Sequence, residues 1–214
     1  MTAIDNDILH KGAGFGLLKQ IIGAIPADIS EVGYLGAVKF IVGKKLRKAN
    51  LNDAFALLNE VLQQAQCLEP TKEEAEFAAQ IEYEAQRASL SVDSGESLLC
   101  AIVIMRAFSW LVTGDKRAIQ GLEELLSRKG DIQDIAGKVI CLEQLLLRLI
   151  QKGDPLAIRS AICAQRSLDR SLAICFSCSS PEVGLTSWVE ALESYLRELR
   201  AASPSILSSS SPVP

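Results

Sequence analysis

The spacing of apolar positions divides the first 128 residues into short strands and amphipathic helices. An apolar side chain every three or four residues predicts helices, and a Thr-Lys-Glu-Glu capping box opens one of them. The predicted helices cover residues 11–24, 37–48, 54–66, 71–87, 97–106 and 116–128. The predicted extended segments cover residues 3–9, 29–34, 67–69 and 110–113. Because strands and helices alternate, the pattern predicts an α/β fold: a three-layer α/β/α sandwich around a parallel sheet.

After residue 130 the pattern changes to helices alone. The predicted helices there cover residues 139–151, 156–164, 168–176 and 182–201. We therefore predict an α/β domain over residues 1–130 and an all-helical C-terminal extension over residues 131–202 that packs on it. Residues 203–214 are rich in Ser and Pro, which predicts a disordered tail.

Composition narrows the classes of protein that this chain can represent. It has 214 residues, with 22 Lys and Arg against 26 Asp and Glu, so its net charge is −4. A globally basic nucleic-acid clamp is therefore excluded. The longest wholly apolar run, residues 98–105, has eight residues, whereas a membrane-spanning helix needs about 20. The N-terminus carries acids where a signal peptide would carry Lys or Arg, so we predict a cytoplasmic protein.

The six cysteines stand mostly within apolar stretches, at positions 67, 100, 141, 163, 175 and 178. In a reducing compartment such residues are small buried hydrophobes. Cys175 and Cys178 form one C-x-x-C pair, but no second pair exists and the single histidine, His10, is distant in sequence. A four-ligand zinc site is therefore disfavoured.

Three acids stand where predicted strands end or a helix begins: Asp5, Glu96 and Asp115. Ligands of open parallel sheets gather at the carboxyl ends of the strands. Clustered carboxylates repel one another and need a counter-ion, for which Mg²⁺ or Mn²⁺ is suited by its preference for oxygen ligands. Such a site can activate water for attack on a phosphodiester. Alternatively, Asp5 and Asp115 are ordinary turn and cap residues, and Glu96 only favours the start of its helix.

Three motifs carry a resemblance to a known family: Ile4-Asp-Asn-Asp-Ile-Leu9, Val92-Asp-Ser-Gly-Glu-Ser-Leu-Leu-Cys-Ala-Ile102 and Trp110-Leu-Val-Thr-Gly-Asp-Lys-Arg-Ala-Ile119. Their order, with an apolar strand before an acid, an acid at a helix start and a strand ending in Thr-x-Asp, resembles PIN-domain proteins. The resemblance covers about residues 3–128. It implies a PIN-like sandwich and a Mg²⁺- or Mn²⁺-dependent endoribonuclease, a hydrolase of RNA phosphodiester bonds.

By this resemblance, Asp5, Glu96 and Asp115 match the acidic metal-site and catalytic residues, with Asp7 and Thr113 as supporting neighbours. Members of this family are often toxins with an inhibitor protein or RNA-processing nucleases, which implies RNA and possible protein partners. One departure stands out: the family usually carries a further acid after the second strand, whereas residues 32–45 have none and Glu31 lies just before them.

Two other interpretations follow from that departure. The chain could be a catalytically impaired PIN-like module that serves as a protein-interaction or RNA-binding subunit. It could also be an unrelated α/β domain, in which case the three acids would lie far apart in space.

A basic segment is the best candidate for contacts with the RNA backbone. It contains Lys39, Lys44, Lys45, Arg47 and Lys48, with no acid among them. Such cations bind polyanions through charge and counter-ion release, although a solvated helix face is the alternative. Glu143 stands in an apolar helix, where pairing with Arg148 or with a neighbouring chain of a homo-oligomer is expected. Three later arginines could also contact phosphate: Arg159, Arg166 and Arg170.

Overall fold

The computed structural model describes residues 1–128 and 131–209. In these residues a five-stranded, wholly parallel sheet is covered by helices, which confirms the predicted α/β class and is consistent with three layers. The strands are β1 (Thr2–Ile4), β2 (Val32–Leu35), β3 (Gln66–Leu68), β4 (Trp110–Thr113) and β5 (Val139–Cys141). Their order is β3-β2-β1-β4-β5. Thr2 lies beside Val32 on one side and Trp110 on the other, so β1 is the central strand.

The helices connect and flank the strands. They are α1 (Asn6–Gly14), α2 (Leu18–Gly23), α3 (Val38–Lys48), α4 (Asn52–Gln64), α5 (Lys72–Arg87), α6 (Ser94–Met105), α7 (Lys116–Ser127), α8 (Leu142–Lys152), α9 (Pro155–Ala164), α10 (Arg170–Cys175) and α11 (Leu185–Ala202). Short 3-10 turns occupy Ile29–Glu31 and Gln133–Ile135. The strands β1, β2 and β5 are buried along their whole length, as expected for parallel strands covered on both faces. Within the described residues, no helix is long and apolar enough to span a membrane.

Aspartate caps fix where several helices begin. A carboxylate oxygen at the N-cap accepts a backbone N–H that would otherwise lack a partner. The capping residues are Asp5 (α1), Asp93 (α6), Asp115 (α7), Asp154 (α9) and Asp169 (α10). Both Asp93 with Glu96 and Thr71 with Glu74 form complete capping boxes. The cap roles considered for Asp5 and Asp115 are thus confirmed, and both residues stand at strand ends as well.

The first predicted strand is wrong beyond Ile4. The chain turns at Asp5, which caps α1, because residues 8, 9 and 13 then bury apolar side chains on one helical face. The helix predicted over residues 11–24 is likewise divided into α1 and α2. Gly16 adopts φ +71° in the turn between them, a conformation that favours glycine.

The predicted boundary at residue 130 is also wrong, because the sheet continues past it. Residues 139–141, predicted as the start of a helix, form β5, and Val139 lies beside Leu111 of β4. A short, fully buried apolar run does not reveal whether it is strand or helix. Residues 131–202 are therefore not an all-helical extension: they supply an edge of the sheet before the helices α8–α11.

The predicted disordered tail is wrong for residues 203–209. The Val139 N–H donates to the carbonyl of Ile206 at 3.0 Å, and Leu207 forms a parallel bridge with Val139. The Glu123 carboxylate accepts the N–H groups of Ser205 and Ile206. The side chain of Ile206 is fully buried, so this segment closes the edge of the sheet beside β5. Residues 210–214 lie outside the described residues.

The cysteines differ in burial and in oxidation state. Cys100, Cys141 and Cys175 are buried as expected, and Cys67 is exposed. Cys163 and Cys178 form a disulfide between α9 and the segment after α10, so the expectation that all six are reduced is wrong for this pair. Disulfides are uncommon in reducing compartments, so the pair does not support the predicted cytoplasmic location.

Candidate acidic site at the carboxyl edge of the sheet

The carboxyl ends of β1 and β4 bring Asp5, Thr113 and Asp115 together. The Asp5 N–H donates to the carbonyl of Val112 at 2.9 Å. The Thr113 hydroxyl donates to Oδ2 of Asp5 at 3.1 Å and accepts the N–H of Asp115 at 3.2 Å. Thr113 therefore links the two acids across the strands.

Both aspartates are held by backbone groups at the start of a helix. Oδ1 of Asp5 accepts the N–H of Asn6 at 2.6 Å. Oδ1 of Asp115 accepts the N–H groups of Arg117 at 2.9 Å and Ala118 at 3.3 Å, and the Arg117 guanidinium lies 3.5 Å from Oδ2. Because each carboxylate oxygen has two lone pairs, these contacts leave acceptor capacity for a further ligand.

Glu96 reaches the same region from the first turn of α6, which packs against β1 and β4. Its Oε2 accepts the N–H of Asp93 at 2.8 Å, while Oδ1 of Asp93 accepts the N–H of Glu96 at 2.9 Å. The capping box therefore fixes the Glu96 side chain beside Asp93, an acid that the strand-end reasoning did not select.

The acids act on one another electrostatically. Burial raises the pKa of Asp5 to about 6, and the charge of Asp7 adds to the rise, against hydrogen bonds from Asn6 and Thr113. Burial also raises the pKa of Glu96 to about 8, with further contributions from the charges of Asp93, Asp115 and Asp5. The structure therefore brings Asp5, Glu96 and Asp115 within electrostatic reach at one end of the sheet, rather than far apart.

These residues suit a hard divalent cation in their chemistry. The donor set is carboxylate and hydroxyl oxygen, which Mg²⁺ and Mn²⁺ prefer. Carboxylates with raised pKa values are stabilised by a neighbouring positive charge. Among residues 1–128 and 131–209, no three Asp, Glu, His or Cys side chains stand close enough together to form a cation site in their present rotamers. The assignment of Asp5, Glu96 and Asp115 as ligands stays a prediction.

Asp7 also lies at this edge, but its charge is partnered. Oδ2 of Asp7 is 2.8 Å from Nζ of Lys11, which is 2.7 Å from Oδ2 of Asp169. Burial would lower the pKa of Lys11, but the two carboxylates outweigh it and raise that pKa above its usual value. A Cβ atom at Gly114 would collide with Oδ2 of Asp7, so the glycine after Thr113 leaves space for this acid.

A second lysine, Lys116, directly follows Asp115. Its Nζ lies 2.8 Å from Oε1 of Glu143 and 4.1 Å from the centre of the Tyr195 ring. The expected partnership of Glu143 with Arg148 is therefore wrong, since Arg148 donates to the carbonyl of Ala24 instead. A surface cavity of about 300 Å³ lies beside these groups. Its lining combines acids and cations: Asp7, Lys11, Asp115, Lys116, Arg117 and Asp169.

The remaining candidates lie elsewhere. The five cations of the predicted basic segment are all exposed on α3, and none of the residues of α3 is acidic. Glu31 directly precedes β2 and so lies at the amino ends of the parallel strands, whereas Asp5 lies at their carboxyl ends. Glu31 therefore does not replace the missing acid. Arg159 donates to the carbonyls of Phe176 and Ser177, which makes it structural. Arg166 and Arg170 are exposed and line a separate groove.

Together these features define an α/β protein with a five-stranded parallel sheet and an acidic site at the carboxyl ends of the central strand β1 and its neighbour β4. Comparison with protein-family models, curated proteins and solved structures finds no match to this chain. The interpretation of the site therefore depends on its own geometry and on the motif resemblance.

The raised pKa of Glu96 makes a prediction about stability. Between pH 4.5 and 8 the folded state binds more protons at this position than the unfolded state, so the free energy of unfolding falls as pH rises through that window. Glu96→Gln removes the charge and keeps the acceptor for the Asp93 N–H. We expect the variant to be more stable than the parent at pH 9 by about 1–2 kcal/mol, an amount reduced by solvent screening.

Urea unfolding from pH 4 to pH 9, without divalent ions, measures this difference. The two stability curves are expected to meet near pH 4, to diverge progressively between pH 4.5 and 8, and to keep a constant separation above pH 8. Glu198→Gln on the exposed side of α11 is the matched control and should follow the parent curve. A Glu96→Gln curve that runs parallel to the parent curve at every pH would contradict a pKa of Glu96 that burial raises in the folded state.

Proposed function

We propose that this protein is a metal-dependent ribonuclease of PIN-like fold, which hydrolyses RNA phosphodiester bonds with Mg²⁺ or Mn²⁺ held by Asp5, Glu96 and Asp115. The observation that carries the proposal is the geometry at the ends of β1 and β4, where Thr113 donates to Asp5 and accepts the N–H of Asp115, and the charges of both acids act on Glu96. A cluster of like charges with two raised pKa values costs stability, and a bound cation would offset that cost.

The position of the cluster supports the same function. The acids lie where β1 and β4 end, and β2 and β4 flank β1 on opposite sides. Helical connections on either side of a central strand leave a crevice at its carboxyl end, where open α/β sheets bind ligands. Each of the three motifs that resemble PIN-domain proteins contains one of these acids.

In the proposed reaction, the bound cation would supply a Lewis acid and an activated water. The residues of the chain position the reactants. The Thr113 hydroxyl and the Asn6 N–H hold the carboxylate of Asp5, and the first turn of α7 holds that of Asp115. Lys11 and Arg117 line the adjacent cavity, where Lys11 bridges Asp7 and Asp169 and Arg117 lies beside Asp115.

Glu96 gives the proposed cation site a pH dependence. With a pKa of about 8, its carboxyl group holds a proton at neutral pH when no cation is bound. Cation binding favours the ionised form, so binding is expected to release a proton and to strengthen as pH rises from 6 to 8.

The test is cleavage of a mixed pool of single-stranded RNA by the purified protein with Mn²⁺, with Mg²⁺ or with chelator. Cleavage with either ion and none with chelator is expected. Calorimetry with Mn²⁺ in two buffers of different ionisation enthalpy measures binding and proton release in parallel. Absence of both cleavage and stoichiometric Mn²⁺ binding would overturn the proposal.

Two observations favour the second candidate, a PIN-like module with impaired catalysis that binds RNA or a partner protein. Lys11 neutralises Asp7, and α3 has no acid. RNA binding without cleavage in any of the three conditions would support this candidate.

A further inference from the structure

The exposed side of α3 combines basic and apolar side chains, and we call this surface the α3 face. It consists of Lys39, Phe40, Ile41, Lys44, Lys45, Arg47 and Lys48, all exposed to solvent. Phe40 is 77% exposed and Ile41 42% exposed, which sets them apart from the apolar residues of the same helix that are buried. Phe40 and Ile41 are adjacent and are flanked by cations, and apolar patches rimmed by polar residues are typical of interaction sites.

The location of the α3 face connects it to the acidic site. α3 follows β2 and packs against α1, the helix that begins at Asp5. Burial and then the charge of Lys45 lower the pKa of His10 in α1, so Lys45 lies beside that helix. From Phe40 to Lys48 the helix rises about 12 Å at 1.5 Å per residue. The α3 face therefore extends from the carboxyl edge of the sheet along the side of the molecule.

The chemistry of the α3 face fits single-stranded nucleic acid. Proteins that bind single strands combine cations along the backbone path with aromatic rings on which bases stack. Lys44 lies one turn after Phe40, on the same side of the helix, where it can neutralise a phosphate next to a stacked base. The α3 face carries five cations and no acid, whereas a surface that binds proteins usually has fewer lysines at its centre.

We propose that the α3 face binds the single-stranded RNA substrate outside the acidic site, with Phe40 as a base-stacking residue and Lys44 and Lys45 as phosphate contacts. This inference rests on the proposed function for the identity of the ligand as RNA. It adds that the substrate must be unpaired at the α3 face, since a base within a duplex is not free to stack on a side chain.

The experiment measures binding by fluorescence anisotropy with a labelled 12-nucleotide oligouridine, using the full chain in chelator so that cleavage does not occur. Phe40→Ala is expected to weaken binding about ten-fold, since the variant loses the stacking of one base. Phe40→Trp should retain the affinity. Lys44→Gln with Lys45→Gln should weaken binding and reduce the slope of log affinity against log salt by about 1.4. A duplex of the same length should bind more weakly and be insensitive to Phe40→Ala.

Matched controls come from another exposed helix. Tyr83 on α5 is 59% exposed, and Lys72 of the same helix is also exposed. Tyr83→Ala and Lys72→Gln should change affinity less than two-fold. Unchanged binding by Phe40→Ala would overturn the stacking role, and would leave a protein partner as the occupant of the α3 face. Because binding is measured without divalent ions, failure of cleavage and failure of this proposal are separate results.

Discussion

Asp115→Asn is expected to abolish metal-dependent RNA cleavage while leaving the fold intact. Asparagine keeps a side-chain oxygen that can accept the N–H groups of Arg117 and Ala118, which Oδ1 of Asp115 accepts at 2.9 and 3.3 Å. The substitution removes the negative charge that would hold the cation, together with the exposed ion pair to Arg117. Loss of one charged ligand at a catalytic centre typically reduces the rate by a factor of about 10³ or more.

The measurement is the single-turnover cleavage rate with Mn²⁺, together with the thermal unfolding midpoint. Asp154→Asn is a closely matched control, because Asp154 caps α9 by accepting the N–H groups of Leu156 and Ala157. It performs the same capping role away from the acidic site. We expect its cleavage rate to stay within two-fold of the parent. Full activity of Asp115→Asn would remove Asp115 from the proposed cation site.

Local signals predicted much of the fold. The strand predicted over residues 110–113 is β4, and the helix predicted from Thr71 begins with the predicted capping box. These segments were predictable because the apolar pattern and the flanking cap residues agree with each other. β5 was not, because three buried apolar residues directly before a helix have the composition of that helix. The segment 203–209 was missed because its order comes from the backbone of β5 and from Glu123, not from its own composition.

The candidate site, like the fold, was predictable from the sequence only in part. Asp5 and Asp115 could be selected because they directly follow apolar strands, and parallel strands end at a common edge. The pairs Lys11–Asp169 and Lys116–Glu143 could not be predicted, because each joins residues that are distant in the sequence and no local pattern pairs them. Sequence reasoning therefore selected Asp5 and Asp115, but the structure was needed to show that acids from α8 and the start of α10 pair with the lysines beside them.

The ion pair between Lys116 and Glu143 leads to the prediction with the largest effect on stability. Glu143 is only 5% exposed, and its Oε1 lies 2.8 Å from Nζ of Lys116. Lys116→Met keeps an unbranched side chain that is one atom shorter and removes the charge, which leaves a buried carboxylate without its cation. Removing one partner of a buried pair costs about 3–5 kcal/mol. Because Lys116 is itself 29% exposed, we expect a loss of about 3 kcal/mol.

A loss of that size should lower the thermal unfolding midpoint by about 6–12 °C in a chain of this length. Lys152→Met, an exposed position on α8, is the control for loss of a lysine and should lie within 1 °C of the parent.

The double variant Lys116→Met with Glu143→Gln tests the physical cause. Since glutamine carries no charge, the double variant should recover more than half of the stability that Lys116→Met loses. If Lys116 stabilised this region only through the packing of its methylene chain, the losses of the two single variants would add. Additive losses would therefore show that the methylene chain of Lys116, packed near Tyr195, stabilises this region rather than its charge.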